Sequence, residues 1–92
     1  MPNFKWDLDK AARNRREHKV TFEAARRVFD DPFAIDEIDD REDYGEERWN
    51  TIGMCEGRLL VVSYTERGGG IRLISARLAE PHERRKYHEA KR

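Results

Sequence analysis

Apolar and polar positions alternate at different periods along the chain, and each period predicts an element. Phe4-Lys5-Trp6 alternates apolar with polar and reads as a short edge strand. Asp7 suits the N-cap of a helix from about Leu8 to His18, with Asp9 in its first turn to match the dipole. That helix has little apolar surface beyond Leu8, Ala11 and Ala12, so it is expected to lie on the domain rather than run through it. Thr21 is the N-cap candidate of a second helix, about Phe22 to Phe29, in which Phe22, Ala25, Val28 and Phe29 repeat at helical spacing and should face the core. Asp30-Asp31-Pro32 stops it, because the residue before proline avoids the α region.

Downstream the period is that of strands. Phe33 to Asp39 forms a weak strand carried by Phe33, Ile35 and Ile38, and Asp40 to Glu47 forms a charged loop turning at Gly45. Arg48 to Met54 places Trp49, Thr51 and Gly53 on one face, and Glu56-Gly57 makes a tight turn into Leu59 to Thr65, a strand apolar on both faces. Arg67 to Gly70, with three glycines, turns into a last strand from Ile71 to Ala79. Strict alternation there groups Ile71, Leu73, Ser75 and Arg77 on one face and Arg72, Ile74 and Ala76 on the other, so Arg72 and Arg77 converge only if the strand bends or bulges. Glu80-Pro81 opens a C-terminal helix with proline at its first position. The order β-α-α-β-β-β-β-α predicts an α+β fold, an antiparallel sheet of about four to five strands with two N-terminal helices and one C-terminal helix. The whole chain, 1–92, is expected to be one domain.

Composition narrows the function. Charged residues are 41% of the chain, hydrophobic residues 37%, and mean hydropathy is −1.04, yet runs such as LLVVSY and IRLISA need a core. The net charge is zero but segregated: Phe4–Arg27 holds eight basic and four acidic residues, Asp30–Glu47 one basic and ten acidic, Arg67–Arg92 eight basic and three acidic. Two basic ends flanking an acidic middle speak to partners more than to fold. The acidic stretch either pairs with the basic faces and limits non-specific RNA binding or is plain surface; neutralising it should raise RNA affinity in the first case. No apolar stretch reaches ~18 residues, so no transmembrane helix is expected, and MPNFKWDLDK has no signal-peptide core. A single cysteine, Cys55, excludes an intramolecular disulfide and points to a reducing cytoplasm.

Several residues carry candidate chemistry. Lys10, Asn14 and His18 fall at i, i+4 and i+8 on the first helix, a mix that can grip a phosphate and move a proton or be only a wet face. Arg67, Arg72 and Arg77 offer planar, permanently charged forks for phosphate, or ion pairs with the acidic segment. A carboxylate of Glu46-Glu47-Arg48 is a base or an arginine partner. The C-terminal helix places His82 and His88 with Arg84, Arg85 and Tyr87, a basic surface able to bind RNA by charge and stacking. The three histidines lack metal-ligand spacing, and no phosphate-loop, dinucleotide-binding or G-x-S-x-G motif is present, so neither metal nor cofactor is expected.

Four blocks, FKWDLDKAARNRREHKVTFEAARRVFDDP, GEERWNTIG, LLVVSYTERGGGIRLISAR and ERRKY, run in order over nearly the whole chain. In these the chain resembles the BrnT family, the toxins of type II toxin–antitoxin systems. The resemblance implies a RelE-like α+β fold and a metal-independent endoribonuclease that arrests translation and growth. It also implies a BrnA-like antitoxin with a ribbon-helix-helix DNA-binding part, in a hetero-oligomer that meets promoter DNA only through the antitoxin. Lys10, Asn14 and His18 match the K, N and H of the family's opening motif, Glu47 and Arg48 its G-E-E/x-R block, and Thr65 and Arg67 its T-x-R. Arg72, Ser75, Ala76 and Arg77 match I-R-x-I-S-A-R, and Glu83, Arg84 and Tyr87 match E-R-x-x-Y; Leu78 stands where a lysine often follows. On this reading Arg67 and Arg77 stabilise the transition state with Arg72 beside them, His18 is acid or base, Lys10 a second phosphate contact and alternative acid, and Glu47 the alternative base. Asn14, Arg48, Arg84, Arg85 and Tyr87 hold RNA. Arg77→Ala should remove toxicity with the fold intact. The alternative from another class is a non-catalytic RNA- or protein-binding module; a DNA-binding regulator fits less well, since no helix-turn-helix signature appears.

Overall fold

The computed structural model describes residues 3–91. Helix α1 spans Leu8–His18. The Asp7 carboxylate accepts from the Lys10 amide at 3.0 Å, and Lys19, in the left-handed region at φ 60°, closes the far end by donating its amide to the Arg15 carbonyl. Thr21 caps the next helix as expected, its hydroxyl accepting from the Ala24 amide at 3.0 Å. The expected single helix Phe22–Phe29 is instead a short α2, Phe22–Ala25, followed by a 3₁₀ segment, Arg26–Asp30. The tighter turn brings Val28 against Gly53, where a Cβ would lie 3.0 Å from that of Val28; only glycine admits this approach.

Strands β1 (Phe4–Lys5), β2 (Ile35–Asp39), β3 (Arg48–Cys55), β4 (Arg58–Arg67) and β5 (Gly70–Leu78) form one sheet in the order β1-β5-β4-β3-β2. Strands β2 to β5 pair antiparallel, but β1 runs parallel to β5, so the sheet is mixed rather than antiparallel. The reason lies in the connection: after β1 the chain crosses the sheet through α1 and α2 to the opposite edge, so β1 is not hairpin-linked to its neighbour. The weak strand begins at Ile35, not Phe33, and leaves Phe33 and Ile38 about half exposed at the edge. In the β3–β4 turn Glu56 and Gly57 both have positive φ, 49° and 81°, which suits a two-residue hairpin and sets Cys55 opposite Arg58.

The two sheet faces bury different things. Under α1, α2 and the 3₁₀ segment, Val20, Phe22, Ala25, Val28, Leu60, Val62, Tyr64, Leu73 and Ala76 form the main core. On the other face helix α3 (Pro81–Ala90) covers only part of the sheet, where Tyr87 packs with Ile52, Leu59 and Val61. The Tyr87 hydroxyl donates to Asp31 at 2.6 Å, and burial together with that carboxylate pushes its pKa up to about 12.

Strand β5 departs from strict alternation. The pairing shifts between Ser63 opposite Ser75 and Tyr64 opposite Leu73, leaving Ile74 as an extra residue. Leu73 and Ala76 consequently face the same core. The grouping expected from alternation breaks at this bulge: Ser75 and Arg77 join Arg72 on the face opposite the main core, since residues paired directly across an antiparallel ladder share a face.

Candidate functional site

Beyond the reach of α3, this second sheet face is open and polar. Register places Arg48 and Asn50 of β3, Ser63, Thr65 and Arg67 of β4, and Arg72, Ser75 and Arg77 of β5 on it. A cleft of about 300 Å³ is lined there by Glu37, Asp39, Arg41, Asn50, Ser63, Ser75, Arg77 and Glu83, among others. The Ser63 hydroxyl donates to Asn50 Oδ1 at 2.6 Å, fixing the floor. At the rim Arg41 grips Asp39 through Nε and Nη2, both at 2.8 Å, which holds the Asp39 carboxyl below its usual range.

Arg77 is the best-fixed cation. Its Nη1 and Nη2 donate to the two oxygens of Glu83 at 2.8 Å each, and Nη1 also reaches the Leu78 carbonyl at 3.2 Å. Glu83 in turn accepts from the Glu80 amide at 2.8 Å, so the same carboxylate ties the start of α3 to β5. The Arg77 fork draws the Glu83 carboxyl down to about 2 from 4.5, against the opposing effect of burial. Because its folded pKa is depressed, Glu83 contributes stability that is full above pH 4.5 and is lost as pH falls toward 2. With about 1.4 kcal/mol per pKa unit, the contribution is up to about 3 kcal/mol. Urea titrations between pH 6 and pH 3 should show a shallower acid loss in Arg77→Ala than in the unsubstituted chain.

Arg67 pairs with Glu46, not with Glu47: Nε to Oε1 is 3.2 Å and Nη2 to Oε2 is 2.5 Å. Glu47 has an exposed side chain, while its main-chain oxygen accepts from the buried Thr65 hydroxyl at 2.8 Å. That bond turns the end of the acidic loop so that Glu46 lies over the arginine. Arg72 is half-buried, opposite Thr65. Arg48 stacks its guanidinium 3.9 Å from the Tyr44 ring centroid, and its buried Nε lacks a hydrogen-bond partner among the described residues.

The stripe on α1 divides. Lys10 and His18 line a groove of about 230 Å³ between α1 and β5, with Arg13, Glu17, Ile74 and Ser75. Ser75 also lines the Arg77 cleft, although α1 packs on the sheet face opposite that cleft. Asn14, expected to hold RNA, is buried: its amide nitrogen donates to Val20 O at 2.9 Å and Ala76 O at 2.8 Å, and its oxygen accepts from the Ala76 amide at 3.0 Å. It serves instead to pin α1 to the strand just beyond the bulge. Tyr87 is likewise buried and engaged by Asp31, which leaves no ring face for a base. Arg84 and Arg85 are exposed on the outer surface of α3 with His88, apart from the cleft.

Asn50 and Ser63 are not singled out from the sequence; Glu46 is, among the carboxylates that serve as a base or an arginine partner, and Glu83 is as a motif position, both without a named partner. The first two were findable: a two-residue turn at Glu56-Gly57 dictates Asn50 opposite Ser63, two polar residues set into apolar strands. Glu83 and Glu46 depend on how a helix and a loop fold back, which no local pattern encodes.

The cleft thus sets two arginine forks, each engaged by a carboxylate, beside hydroxyl and amide groups with little apolar lining, a site for a polar ligand. No three His, Cys, Asp or Glu side chains cluster as metal ligands among the described residues, and no helix among them is long and apolar enough to cross a membrane. The chain belongs to the BrnT family: the family model described as ribonuclease toxin, BrnT, of type II toxin-antitoxin system matches residues 6–83. It is thus a ribonuclease toxin with RNA as substrate and an antitoxin as partner. No curated protein matches the chain.

Proposed function

We propose that the chain cleaves RNA without metal on the open sheet face, around Ser75, by attack of a 2′-hydroxyl on the adjacent phosphate. The observation that carries this reading is the bulge at Ile74, which turns Arg72, Ser75 and Arg77 onto the face that holds Arg67. In the step, the 2′-oxygen forms a bond to phosphorus and the bond to the 5′-oxygen breaks. A base takes the 2′-proton and an acid supplies one to the leaving oxygen. Fixed cations aimed at the phosphorane are the largest contributors, each worth ~3 kcal/mol or ~100-fold. Arg77 fills that role, with Arg72, Arg67 and Arg48 farther along the same face. Ser75, where we place the phosphate, also lines the groove of His18 and Lys10, and this shared residue supports those two as proton carriers. The exposed Glu47 is the alternative base, and Arg84 and Arg85 take flanking RNA.

In the cell this activity arrests translation and growth in the cytoplasm, and a BrnA-like antitoxin with a ribbon-helix-helix part neutralises it and carries the complex to promoter DNA. Cleavage of RNA by the purified chain in excess chelator, leaving 2′,3′-cyclic phosphate ends, is the expected result. Cleavage that chelator abolishes, or products with 3′-hydroxyl ends, would refute the mechanism. Induced expression should arrest growth with loss of RNA integrity, relieved by the neighbouring reading frame.

One observation favours the non-catalytic module: both arginine forks, of Arg67 and Arg77, are closed by carboxylates. The pair Arg67–Glu46 is exposed, however, and an RNA phosphate can displace it at little cost. Glu46→Gln should accordingly raise RNA affinity several-fold at low salt with the gain fading at high salt. Unchanged affinity would assign the acidic loop to plain surface.

A further inference from the structure

A second cationic depression lies on the same sheet face, at the far end of β5 from Arg77. It is a pocket of about 230 Å³ at the β4–β5 turn, lined by Asn3, Lys5, Arg67, Gly68, Gly70 and Arg72 among others. Lys5 and Arg72 are direct partners in the β1–β5 register, so two like charges stand side by side. Such a pair opposes strand association unless an anion lies between its members. No carboxylate lines the pocket. Two acids reach its cations from outside the lining: Asp7, which accepts from the Lys10 amide and acts on Arg72 by charge, and Glu46, which engages Arg67. The floor is built closely: the Ile71 amide donates to Asn3 O at 2.7 Å, and a Cβ on Gly70 would meet that same oxygen at 3.0 Å.

We propose that this pocket is a second phosphate subsite, which takes a backbone phosphate of the RNA strand a few nucleotides from the one that is cut. Arg72 and Arg77 are five positions apart, but Ile74 is bulged and their partners Thr65 and Val61 are four apart, so about 13 Å of strand separates them, more than one nucleotide. The substrate strand therefore runs along β5 on the open face, from the glycine turn toward α3, with Lys5 as a length-determining contact. This rests on the RNA reading above for the Arg77 cleft.

Binding of uncleavable 2′-O-methyl RNA separates the two. Fluorescence anisotropy with a dinucleotide and a hexanucleotide would compare the unsubstituted chain with Lys5→Gln. The hexanucleotide should lose about tenfold in affinity on substitution, the dinucleotide nothing, and the slope of log affinity against log salt should fall by ~0.7, one single-strand phosphate. An unchanged hexanucleotide affinity and slope, or equal losses for both lengths, would overturn the subsite. If unmodified RNA is bound with the length dependence described but never cut, the subsite stands and the cleavage reading fails.

Discussion

Replacing Asn14 with alanine is expected to cost about 3–5 kcal/mol of stability, from three hydrogen bonds lost in one buried place. The substitution strands the amide and carbonyl of Ala76 and the carbonyl of Val20. A buried polar group left without its partner costs ~1–3 kcal/mol, less where water enters. A chain of this length holds roughly 5–14 kcal/mol in all, so a large share of its stability is at risk. The melting temperature should fall by roughly 15–30 °C. Asn14→Asp should do no better, since a buried carboxylate would then face two carbonyl oxygens. Thermal and urea unfolding decide the matter. A loss under about 1 kcal/mol, with RNA affinity falling instead, would return Asn14 to the role of RNA contact. The site also follows from this tie. Asn14 clasps β5 at Ala76, two residues past the bulge residue Ile74, so the side chain that holds α1 also fixes where the strand resumes its alternation.

That dependence shows what was and was not legible in the sequence. Helix α1 was readable from Asp7 to His18 because capping is local: a carboxylate three residues before the Lys10 amide needs nothing else. The hairpins were readable because Glu56-Gly57 and the glycines after Arg67 are local turn chemistry. The direction of β1 was not, because a two-residue strand gains its place from a partner at the other end of the chain, Ile71 and Arg72. The bulge was not readable either, and with it went the grouping of the arginines. Strict alternation put Arg72 and Arg77 on opposite faces, and one extra residue reverses this. The Lys10-Asn14-His18 stripe was correctly placed on one side of α1, but spacing cannot tell a side chain that faces solvent from one that faces a strand. Asn14 lies over β5 and is buried; Lys10 and His18, a turn away on either side, stay open.

Arg77 is expected to be needed for both cleavage and stability, and Glu83 for stability alone. Loss of a fixed cation at the developing charge should slow RNA cleavage about 100- to 1,000-fold in Arg77→Ala. The same variant strands a largely buried Glu83, so it does not leave the fold untouched; a cost of about 2 kcal/mol is expected. Folding and chemistry therefore have to be separated by the partner substitution. Glu83→Gln removes the charge that holds the fork and weakens the tie between α3 and β5, but leaves the guanidinium in the cleft. It should lose a similar amount of stability and the acid sensitivity below pH 4.5 that Glu83 supplies. Its cleavage at neutral pH should be equal to that of the unsubstituted chain or higher, since a phosphate no longer competes with a carboxylate for Arg77. Arg77→Lys keeps a charge without the planar fork and should recover only part of the rate. Were Arg77 merely a structural partner of Glu83, both alanine and glutamine variants would lose cleavage in proportion to their lost stability, and single-turnover rates measured well below each melting temperature would be the same.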